Sequence, residues 1–397
     1  MTILFIGLVW AEPTSSAAGY RIMQLVELFL QQGMEVHFAS AAAKSERTAV
    51  FPSEVIQHQI VLNDSSFDEF IQQLQPDIVL FDRYLTEEQY GWRVYQHCPN
   101  ALTILDTEDL HFVRKAREEA YKKQSTPNYY SEIAKREIAS ILKSDISLMI
   151  SPEEIKILKD FQSDKNTVYL PFIQDKRNEI KEKIDFSERN DFMFIGNFHH
   201  EPNFQTAVQL KKNYWNPIKK ALPQAKLYIY GAYPTQKVWD LHNEKEGFIV
   251  KGAADSVSEV MQKHRVLLAP IPFGAGIKGK FFDAANNDLP WLTSSIGAEG
   301  MNISENYIAD SVEDFTQKAI NLYTNEHLWN EAVNWANDWK NHQFESKEFV
   351  QMFLEKIQTL LKDISQHRNQ NFIGQILKHQ QFSATKYMSL WIEEKSK

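Results

Sequence analysis

The sequence predicts an α/β protein built of two Rossmann-like domains, and three observations support this prediction. Short apolar runs alternate with segments of helical period, which is the pattern of parallel sheets covered by helices. The alternation is interrupted by the charged stretch 174–189 and then begins again. The 397 residues suffice for two domains of ordinary size, roughly 100–200 residues each. Each half of the chain is therefore expected to fold around its own core.

The first βαβ unit shows this pattern in detail. Residues Thr2 to Leu8 form an apolar run that predicts a buried strand. From Ile22 to Leu30 the apolar residues have helical spacing, and Gly33 is expected to end the helix. A second strand is predicted at Val36–Ala39.

The remaining elements are predicted from the same kinds of run. Further strands are expected at Asp77–Phe81, Ala101–Leu105, Ile146–Ile150, Phe192–Ile195, Leu227–Tyr230, Phe248–Val250, Val266–Ala269 and Trp291–Thr293. Helices are expected from 151, about 203, 235, 256 and about 277, and from 312 to about 361. We therefore expect an N-terminal domain at 1–172, a C-terminal domain at 189–345 and a helical extension at 346–397.

Composition and charge argue against several classes of protein. Hydrophobic residues make up 43% and charged residues 24% of the chain, which is typical of a globular protein with a core. The net charge of -9 argues against a nucleic-acid partner, because such binding depends on neutralising phosphates. Cys98 is the single cysteine, so we expect no disulfide within the chain, no cysteine-based zinc site and a cytoplasmic location.

The sequence predicts neither a signal peptide nor a membrane span. Residues 1–10 are apolar but lack a basic leader, so they are interpreted as the first strand. No run of about 20 apolar residues is present. The tail from Asn371 to Lys397 mixes apolar residues with lysines, so a peripheral membrane contact is one interpretation. Packing against the body of the protein is the interpretation we favour.

The strongest candidate site is the loop 269–280, APIPFGAGIKGK, which follows a predicted strand. Ligands of open α/β sheets bind beyond the carboxyl ends of the strands. Three glycines let the backbone approach a ligand, and the loop is expected to open a helix that carries Lys278 and Lys280, an arrangement that favours phosphate. One turn further on, Asp283 is placed to accept hydrogen bonds from ribose hydroxyls. A glycine-rich turn with solvated lysines is the alternative interpretation.

The run APIPFGAGIKGKFFDAANNDLPWLTSSIGAEGM resembles the donor-site signature of the GT-B glycosyltransferases, in particular the retaining glycosyl transferases group 1, or family 4. The similarity is most specific to a subgroup with the loop GAGIKGK. Shorter matches lie at 194–196 with 202–203, at 230–231 and at 247–252, so the resemblance covers about residues 190–340. It implies that the C-terminal domain binds a nucleotide-sugar and that the N-terminal domain offers the acceptor.

The resemblance also implies roles for individual residues. Lys278, either alone or together with Lys280, would hold the diphosphate, and Lys278 is the implied catalytic residue of this domain. Asp283 stands where the family has a ribose-binding glutamate, and Gly252 with Ala253 would lie beside the base. The complete implied donor-binding set is Gly196, Gly252, Ala253, Gly274, Ala275, Gly276, Ile277, Lys278, Lys280 and Asp283. The nucleotide-sugar is a substrate, so no cofactor is expected, and the resembled fold usually works without a metal.

Two departures from the family pattern bear on activity. The family's usual pair of acidic residues would place its first member at Ala275. The basic pair after the first strand of this domain is replaced by Asn197 and Asn203. The backbone N–H groups of 274–277 and the two lysines must then carry more of the diphosphate charge, or catalysis is weak or absent.

The loop 10–19, WAEPTSSAAG, precedes the first helix and consists mostly of small residues. No G-x-G-x-x-G fingerprint follows the strand, because Gly7 stands alone, which argues against a dehydrogenase. In the resembled family a small-residue loop here faces the donor across the cleft, so Ser15, Ser16 and Gly19 are candidate contacts for phosphate or acceptor. A capped strand-to-helix connection is the alternative.

A dense set of titratable residues follows the strand predicted to end at 105. The resemblance implies a histidine here that contacts the transferred sugar, and His111 is the implied catalytic match, with Asp109 as the alternative. Acidic clusters also bind Mg²⁺. A surface cluster of salt bridges with the basic residues at 114–117 is a further interpretation.

The sequence as a whole predicts transfer of a sugar from a nucleotide-sugar to a saccharide, lipid-linked or other acceptor, with retention and without a metal, in polysaccharide biosynthesis. Stabilising the departing diphosphate would lower the barrier. An inactive binding or scaffold protein of the same shape is the alternative, and a sugar-nucleotide epimerase is a third. His199 and His200 receive less weight, because adjacent loop histidines are commonly exposed.

Overall fold

The computed structural model describes residues 1–173, 184–343 and 346–396. Within these residues the strands form two separate parallel sheets, one in each half of the sequence. This arrangement confirms the predicted fold class of two Rossmann-like domains. Most of the predicted connection, residues 174–183, lies outside the described residues.

The strands of the N-terminal sheet are all parallel. They are β1 (Thr2–Gly7), β2 (Glu35–Ser40), β3 (Ile56–Gln59), β4 (Ile78–Asp82), β5 (Leu102–Asp106), β6 (Ile146–Met149) and β7 (Thr167–Tyr169). In the described chain this sheet has seven strands in the order β3-β2-β1-β4-β5-β6-β7. β4 and β5 are buried throughout, as expected for strands covered by helices on both faces. The sequence analysis missed β3, which is polar and mostly exposed.

Helices cover both faces of this sheet. They are α1 (Ala17–Gln31), α2 (Ser66–Leu74), α3 (Arg83–His97), α4 (His111–Lys123), α5 (Glu132–Lys143) and α6 (Pro152–Asp160). The sequence analysis placed α1 and α6 and expected a helix to carry the basic residues at 114–117, which is α4, but it assigned no helix to α2, α3 or α5. The signal was present in α2, where Phe67, Phe70, Ile71 and Leu74 have helical spacing, but the run is short and was overlooked.

The C-terminal sheet is smaller and also parallel. Its strands are β8 (Asn190–Ile195), β9 (Leu227–Tyr230), β10 (Phe248–Gly252), β11 (His264–Ala269) and β12 (Trp291–Thr293). The described strands run in the order β10-β9-β8-β11-β12. Large aromatic side chains, among them Trp215, Trp291 and Trp329, fill the core around this sheet.

The helices of this domain alternate with its strands. They are α7 (Glu201–Gln209), α8 (Trp215–Ala221), α9 (Gln236–Trp239), α10 (Val257–Lys263), α11 (Lys280–Asn286), α12 (Ser295–Ala298), α13 (Val312–Thr324) and α14 (Glu326–Gln343). The start of α11 corrects the sequence analysis, which expected a helix from about Ile277. Gly276 has φ 61°, a left-handed conformation that does not continue a helix, so Lys278 lies in the loop before the helix.

The C-terminal helices return to the N-terminal domain. They are α15 (Lys347–Lys362), α16 (Ile364–Gln370) and α17 (Phe372–Ser396). Phe353 and Ile357 of α15 are buried in the core beneath β1 and β4. The guanidinium of Arg368 in α16 donates to the carboxylate of Asp145 at 2.7 Å. The helical stretch expected from 312 to 361 is thus divided among α13, α14 and α15.

The last helix, α17, contacts the N-terminal domain through polar side chains and exposes apolar side chains to solvent. Lys143 of α5 donates to Gln381 at 2.9 Å, and Arg93 of α3 donates to Ser389 at 3.4 Å. The exposed apolar side chains of this helix include Phe372, Ile373, Ile376, Tyr387, Met388 and Trp391. The tail therefore packs against the body of the protein. No described helix has the length and apolar character needed to cross a membrane.

Candidate active site

A cleft of about 730 Å³ lies between the two domains. One wall consists of loops that follow β1, β4 and β5, and the other of loops that follow β8, β9, β10 and β11. In each sheet the carboxyl ends of the strands face this space. Parallel α/β sheets bind their ligands at this end, so the cleft is the candidate active site.

The loop between β1 and α1 supplies small polar residues to the N-terminal wall. Ser15 and Ser16 both line the cleft. Ser16 is also the N-cap of α1, since its hydroxyl accepts a hydrogen bond from the Gly19 N–H at 3.0 Å. Gly19 lies behind the wall, where a Cβ atom would come within 2.5 Å of the backbone of Glu12. Its lack of a side chain is therefore required by packing.

Glu12 links this loop to the opposite domain. Its carboxylate accepts a hydrogen bond from the Ser15 hydroxyl at 2.7 Å. It also accepts one from the Tyr233 hydroxyl, 2.8 Å away in the C-terminal domain. The Tyr233 ring stacks on that of His199, with 4.4 Å between centroids. These contacts join the two walls at one end of the cleft.

His111 is the first residue of α4 and lines the N-terminal wall. Its imidazole lies edge-on to the ring of Tyr84 and 3.5 Å from a carboxylate oxygen of Asp109. Burial lowers the pKa of His111 to about 3, although Asp109 acts in the opposite direction. The imidazole is therefore neutral near pH 7. Glu137 fixes the start of the helix by accepting the N–H groups of His111 at 3.0 Å and Phe112 at 2.8 Å.

The carboxylates around His111 are largely paired with arginines. Asp109 accepts a hydrogen bond from Arg114 at 2.6 Å, and Asp106 accepts one from Arg21 at 2.9 Å. Within the described ranges, no three His, Cys, Asp or Glu side chains are grouped so as to hold a metal ion. The segment thus combines the cleft-facing histidine with the ion pairs that the sequence analysis offered as an alternative.

Two residues of the same wall have left-handed backbone conformations. Arg83, directly after β4, has φ 70°, and Glu108, shortly after β5, has φ 64°. Both line the cleft. Such conformations cost free energy in residues other than glycine and are concentrated at functional sites. The sequence analysis did not single out either residue.

The loop 269–280, called the donor loop from here on after its predicted role, forms much of the C-terminal wall. Gly274, Ala275, Ile277 and Lys278 line the cleft, and Ala275 also packs against apolar side chains of the N-terminal domain. Gly276 is turned away from the cleft. Its N–H donates to Glu154 at 3.1 Å, and its carbonyl accepts a hydrogen bond from the Lys278 ammonium at 2.8 Å.

The lysines of this wall have shifted pKa values. Burial lowers the pKa of Lys278 to about 8 and, together with the nearby Lys278 charge, that of Lys280 to about 7. Asp283 also lines the cleft, where its carboxylate is exposed to solvent. The lysine side chains thus lie where a bound anion would alter their protonation.

The Lys280 ammonium is held by polar and aromatic neighbours. It donates to the amide oxygen of Asn203 at 2.8 Å and lies 4.5 Å from the ring centroid of Phe194. The Asn203 amide in turn donates to the carbonyl of Asn197 at 2.8 Å. The asparagines that replace the family's basic pair therefore orient a lysine from the donor loop.

The remaining predicted donor residues divide between the surface of the cleft and the layer behind it. Gly196 and Ala253 line the cleft. Gly252, with φ 72°, lies close to Trp239, whose ring would be 3.1 Å from an added Cβ atom. His200, given little weight above as a loop histidine that would be exposed, is exposed and lines the cleft.

Several residues that join the walls were missed by sequence reasoning. Arg117, noted only as part of a basic run, donates from Nη1 to the Gly274 carbonyl at 2.8 Å and also pairs with Glu299. Glu154, which the sequence analysis did not single out, accepts a hydrogen bond from the donor loop. Their partners lie more than 100 positions away in the chain, so the local sequence pattern around either residue could not predict the contact.

Comparison with known proteins identifies the C-terminal domain most directly. Residues 189–325 match the family model described as glycosyl transferases group 1. No curated protein matches the sequence significantly.

Solved structures of similar fold extend over more of the chain. The pneumococcal O-GlcNAc transferase GtfA, in complex with UDP and GlcNAc, has a TM-score of 0.66 at 12% identity, over 91% of this chain and 99% of that one. Anabaena HepE, in complex with UDP and glucose, has a TM-score of 0.64 at 13% identity, over 90% and 99%. For a S. aureus TarM mutant bound to UDP the TM-score is 0.58 at 12% identity, and the match spans 73% of this chain and 58% of that chain.

The similarity to solved structures establishes the fold. The family model indicates the class of enzyme that residues 189–325 resemble, the glycosyl transferases. Both agree with the resemblance seen in the donor loop, and neither lends support to an inactive binding protein. The described chain therefore has the GT-B fold, and its residues 189–325 are similar to the glycosyl transferases group 1.

Proposed function

We propose that the protein transfers a sugar from a nucleotide-sugar to a saccharide, lipid-linked or other acceptor, with retention of the anomeric configuration and without a metal ion. The C-terminal wall holds the donor and the N-terminal wall receives the acceptor. UDP in the GtfA and HepE structures supports a nucleoside diphosphate as the donor's leaving group.

The observation that carries this proposal is a pair of neighbouring ammonium groups, the buried one of Lys278 and the half-buried one of Lys280, neither of which is paired with a carboxylate among the described residues. Lys278 and Lys280 lie in the C-terminal wall, and within the described residues neither forms an ion pair. Their partners are a backbone carbonyl and an amide oxygen. A buried cation without a counter-charge is costly, so a diphosphate is a fitting ligand.

The chemistry follows from where negative charge develops. As the bond between the anomeric carbon and the diphosphate breaks, charge builds on the leaving phosphate, and ammonium groups placed there stabilise the transition state more than the ground state. Asp283 would accept hydrogen bonds from the ribose. His111 is neutral and would contact the transferred sugar from the opposite wall, without adding a positive charge beside the developing oxocarbenium ion.

A panel of nucleotide-sugars tests the proposal. Thermal shifts with UDP-, GDP- and TDP-sugars should single out one base, because a ligand at 100 times its Kd stabilises the folded protein by about 2.7 kcal/mol. The accepted donor should then be hydrolysed or transferred, and NMR of the product should show the donor's anomeric configuration. Binding without turnover would support the inactive alternative, and an inverted product would contradict retention.

We place the reaction in the cytoplasm as part of the same proposal. The single cysteine, Cys98, is buried and free, which suits a reducing compartment. Fractionation of the native host, probed with an antibody against the chain, would test this assignment and would also detect a peripheral membrane fraction.

A further inference from the structure

One oxygen atom of Glu154 connects the two walls of the cleft. Glu154 lies in the first turn of α6, in the N-terminal domain. Its Oε1 accepts the Leu110 N–H at 2.7 Å and the Gly276 N–H at 3.1 Å. The side chain is buried, with 2% of its surface exposed. The first bond stays within the domain, whereas the second reaches the donor loop.

Each of these N–H groups lies next to a residue proposed to act on the donor. Leu110 directly precedes His111, which begins α4. Both backbone polar groups of Gly276 form hydrogen bonds. Its N–H donates to Glu154, and its carbonyl accepts a hydrogen bond from the Lys278 ammonium at 2.8 Å. The Glu154 oxygen is therefore connected to Lys278 through a single glycine.

The surroundings leave little room for another arrangement. Gly276 has φ 61°, and a Cβ atom there would lie 2.8 Å from the Cβ of Asp109. The donor loop thus touches the segment that carries His111. Without Glu154, two buried N–H groups would lose their partner, and an unsatisfied buried donor is destabilising.

We propose that Glu154 is a positioning residue for glycosyl transfer, which sets Lys278 in its working position by binding the donor loop and the start of α4 to the same oxygen. This inference rests on the proposed function. It assigns to Glu154 no contact with donor or acceptor. Its effect reaches the reaction through Gly276 and Lys278.

The two hydrogen bonds that Glu154 accepts indicate which substitution should preserve its positioning role. Both are accepted by Oε1, whereas the buried Oε2 has no hydrogen-bond partner among the described residues. Burial raises the pKa of Glu154 to about 8, so the group is largely a neutral acid at pH 7. Glutamine has the same shape and one equivalent oxygen. It can therefore keep both bonds.

The first experiment compares Glu154→Ala, Glu154→Gln and the control Asp145→Ala. Asp145 is also a buried carboxylate that accepts a backbone N–H, from Thr103 at 2.9 Å, but it lies against α16, away from the cleft. Glu154→Ala should lower kcat about tenfold, a loss of about 1.4 kcal/mol, with a smaller change in donor KM. Glu154→Gln should restore kcat to within about twofold of wild type, and Asp145→Ala should lower Tm while leaving kcat near wild type.

A double-mutant cycle with Lys278→Ala tests the route of the effect. If Glu154 acts by placing Lys278, then Glu154→Ala should change kcat by less than about threefold in the Lys278→Ala background. Independent effects, seen as the full tenfold loss in both backgrounds, would overturn the proposal. A kcat of Glu154→Ala equal to that of wild type would overturn it too.

A measurement without turnover separates this inference from the proposed function. Amide hydrogen exchange in the free protein should be faster at Gly276 and Leu110 in Glu154→Ala, but not in Glu154→Gln or Asp145→Ala. Unchanged protection at Gly276 would exclude the contact whether or not the wild-type protein is active. Changed protection in an inactive wild-type protein would instead leave the contact standing and contradict the transfer reaction.

Discussion

Arg117 and Glu299 form a two-point ion pair between the domains, with Nη1 to Oε2 at 2.6 Å and Nη2 to Oε1 at 2.8 Å. The same guanidinium donates to the Gly274 carbonyl of the donor loop at 2.8 Å. The planar fork of arginine makes all three contacts at once. A lysine offers a point charge in place of that fork.

Arg117→Lys should therefore weaken the closed arrangement of the cleft. We expect kcat/KM for the donor to fall about tenfold, since a hydrogen bond to a charged group is worth about 1.5–3 kcal/mol, while Tm changes little. The matched control is Arg136→Lys, whose ion pair with Glu88 is partly exposed and lies within one domain, so its kinetics should stay near wild type. Equal losses in both variants would show that the interdomain pair has no special effect.

Lys278→Ala should impair turnover more than donor binding. The ammonium is expected to strengthen its bond to the diphosphate as charge develops there, so we predict a fall in kcat of about 10²–10³-fold with the fold intact. Lys280 points to a different part of the surface, towards Asn203, so Lys280→Ala should show a clearly different loss. Single-turnover rates with one accepted donor measure both effects. Rates near wild type in both variants would remove the donor loop from the mechanism.

Donor affinity should decrease as the pH rises through 7 and 8. In the free protein the pKa of Lys280 is about 7 and that of Lys278 about 8, and a bound diphosphate raises both, because opposite charge favours the ammonium form. Below about pH 6 both groups are already protonated in the free protein and contribute no pH dependence to binding. Above these values, binding must first protonate them, which weakens affinity by up to about tenfold per pH unit for each group.

Titration calorimetry with the nucleotide-sugar in buffers of different ionisation enthalpy would measure the proton uptake. Lys280→Arg is the informative variant, because arginine stays charged throughout this range. It should remove the step near pH 7 and keep the one near pH 8. Proton release on binding, or affinity that rises with pH, would contradict the role of both lysines.

Activity should survive treatment with EDTA. Lysines and backbone N–H groups are proposed to carry the diphosphate charge, and the carboxylates at 106 and 109 are engaged by Arg21 and Arg114. Initial rates before and after chelation, and again with added Mg²⁺, measure this directly. Loss on chelation with recovery on Mg²⁺ would assign the charge compensation to the acidic segment.

The sequence predicted most accurately those features, such as strand limits and loops, that depend on residues close to one another in the chain. The strands at 227–230 and 291–293 were placed at their observed limits, because buried parallel strands are short apolar runs bounded by loops. β3 escaped because its edge position leaves polar residues exposed. The donor loop was found through its glycines and lysines, which are local signals.

Contacts between the domains could not be predicted in this way. The Tyr233 hydroxyl reaches Glu12 from the other half of the chain, and neither residue belongs to a spacing pattern. Gly276 shows the same limit. Its presence was noticed, but the direction of its N–H, towards Glu154 and away from the cleft, depends on how two separately folded sheets meet.

The return of α15 to the N-terminal core means that the chain passes between the domains twice, once between Ile173 and Ile184 and again between residues 343 and 346. The N-terminal core is therefore completed by residues that follow the whole C-terminal domain in the sequence. A chain that ended after α14 would lack Phe353 and Ile357, so this core depends on the return of α15. The C-terminal domain is thus held to the N-terminal one by the chain at both of its ends as well as by contacts such as Arg117 with Glu299.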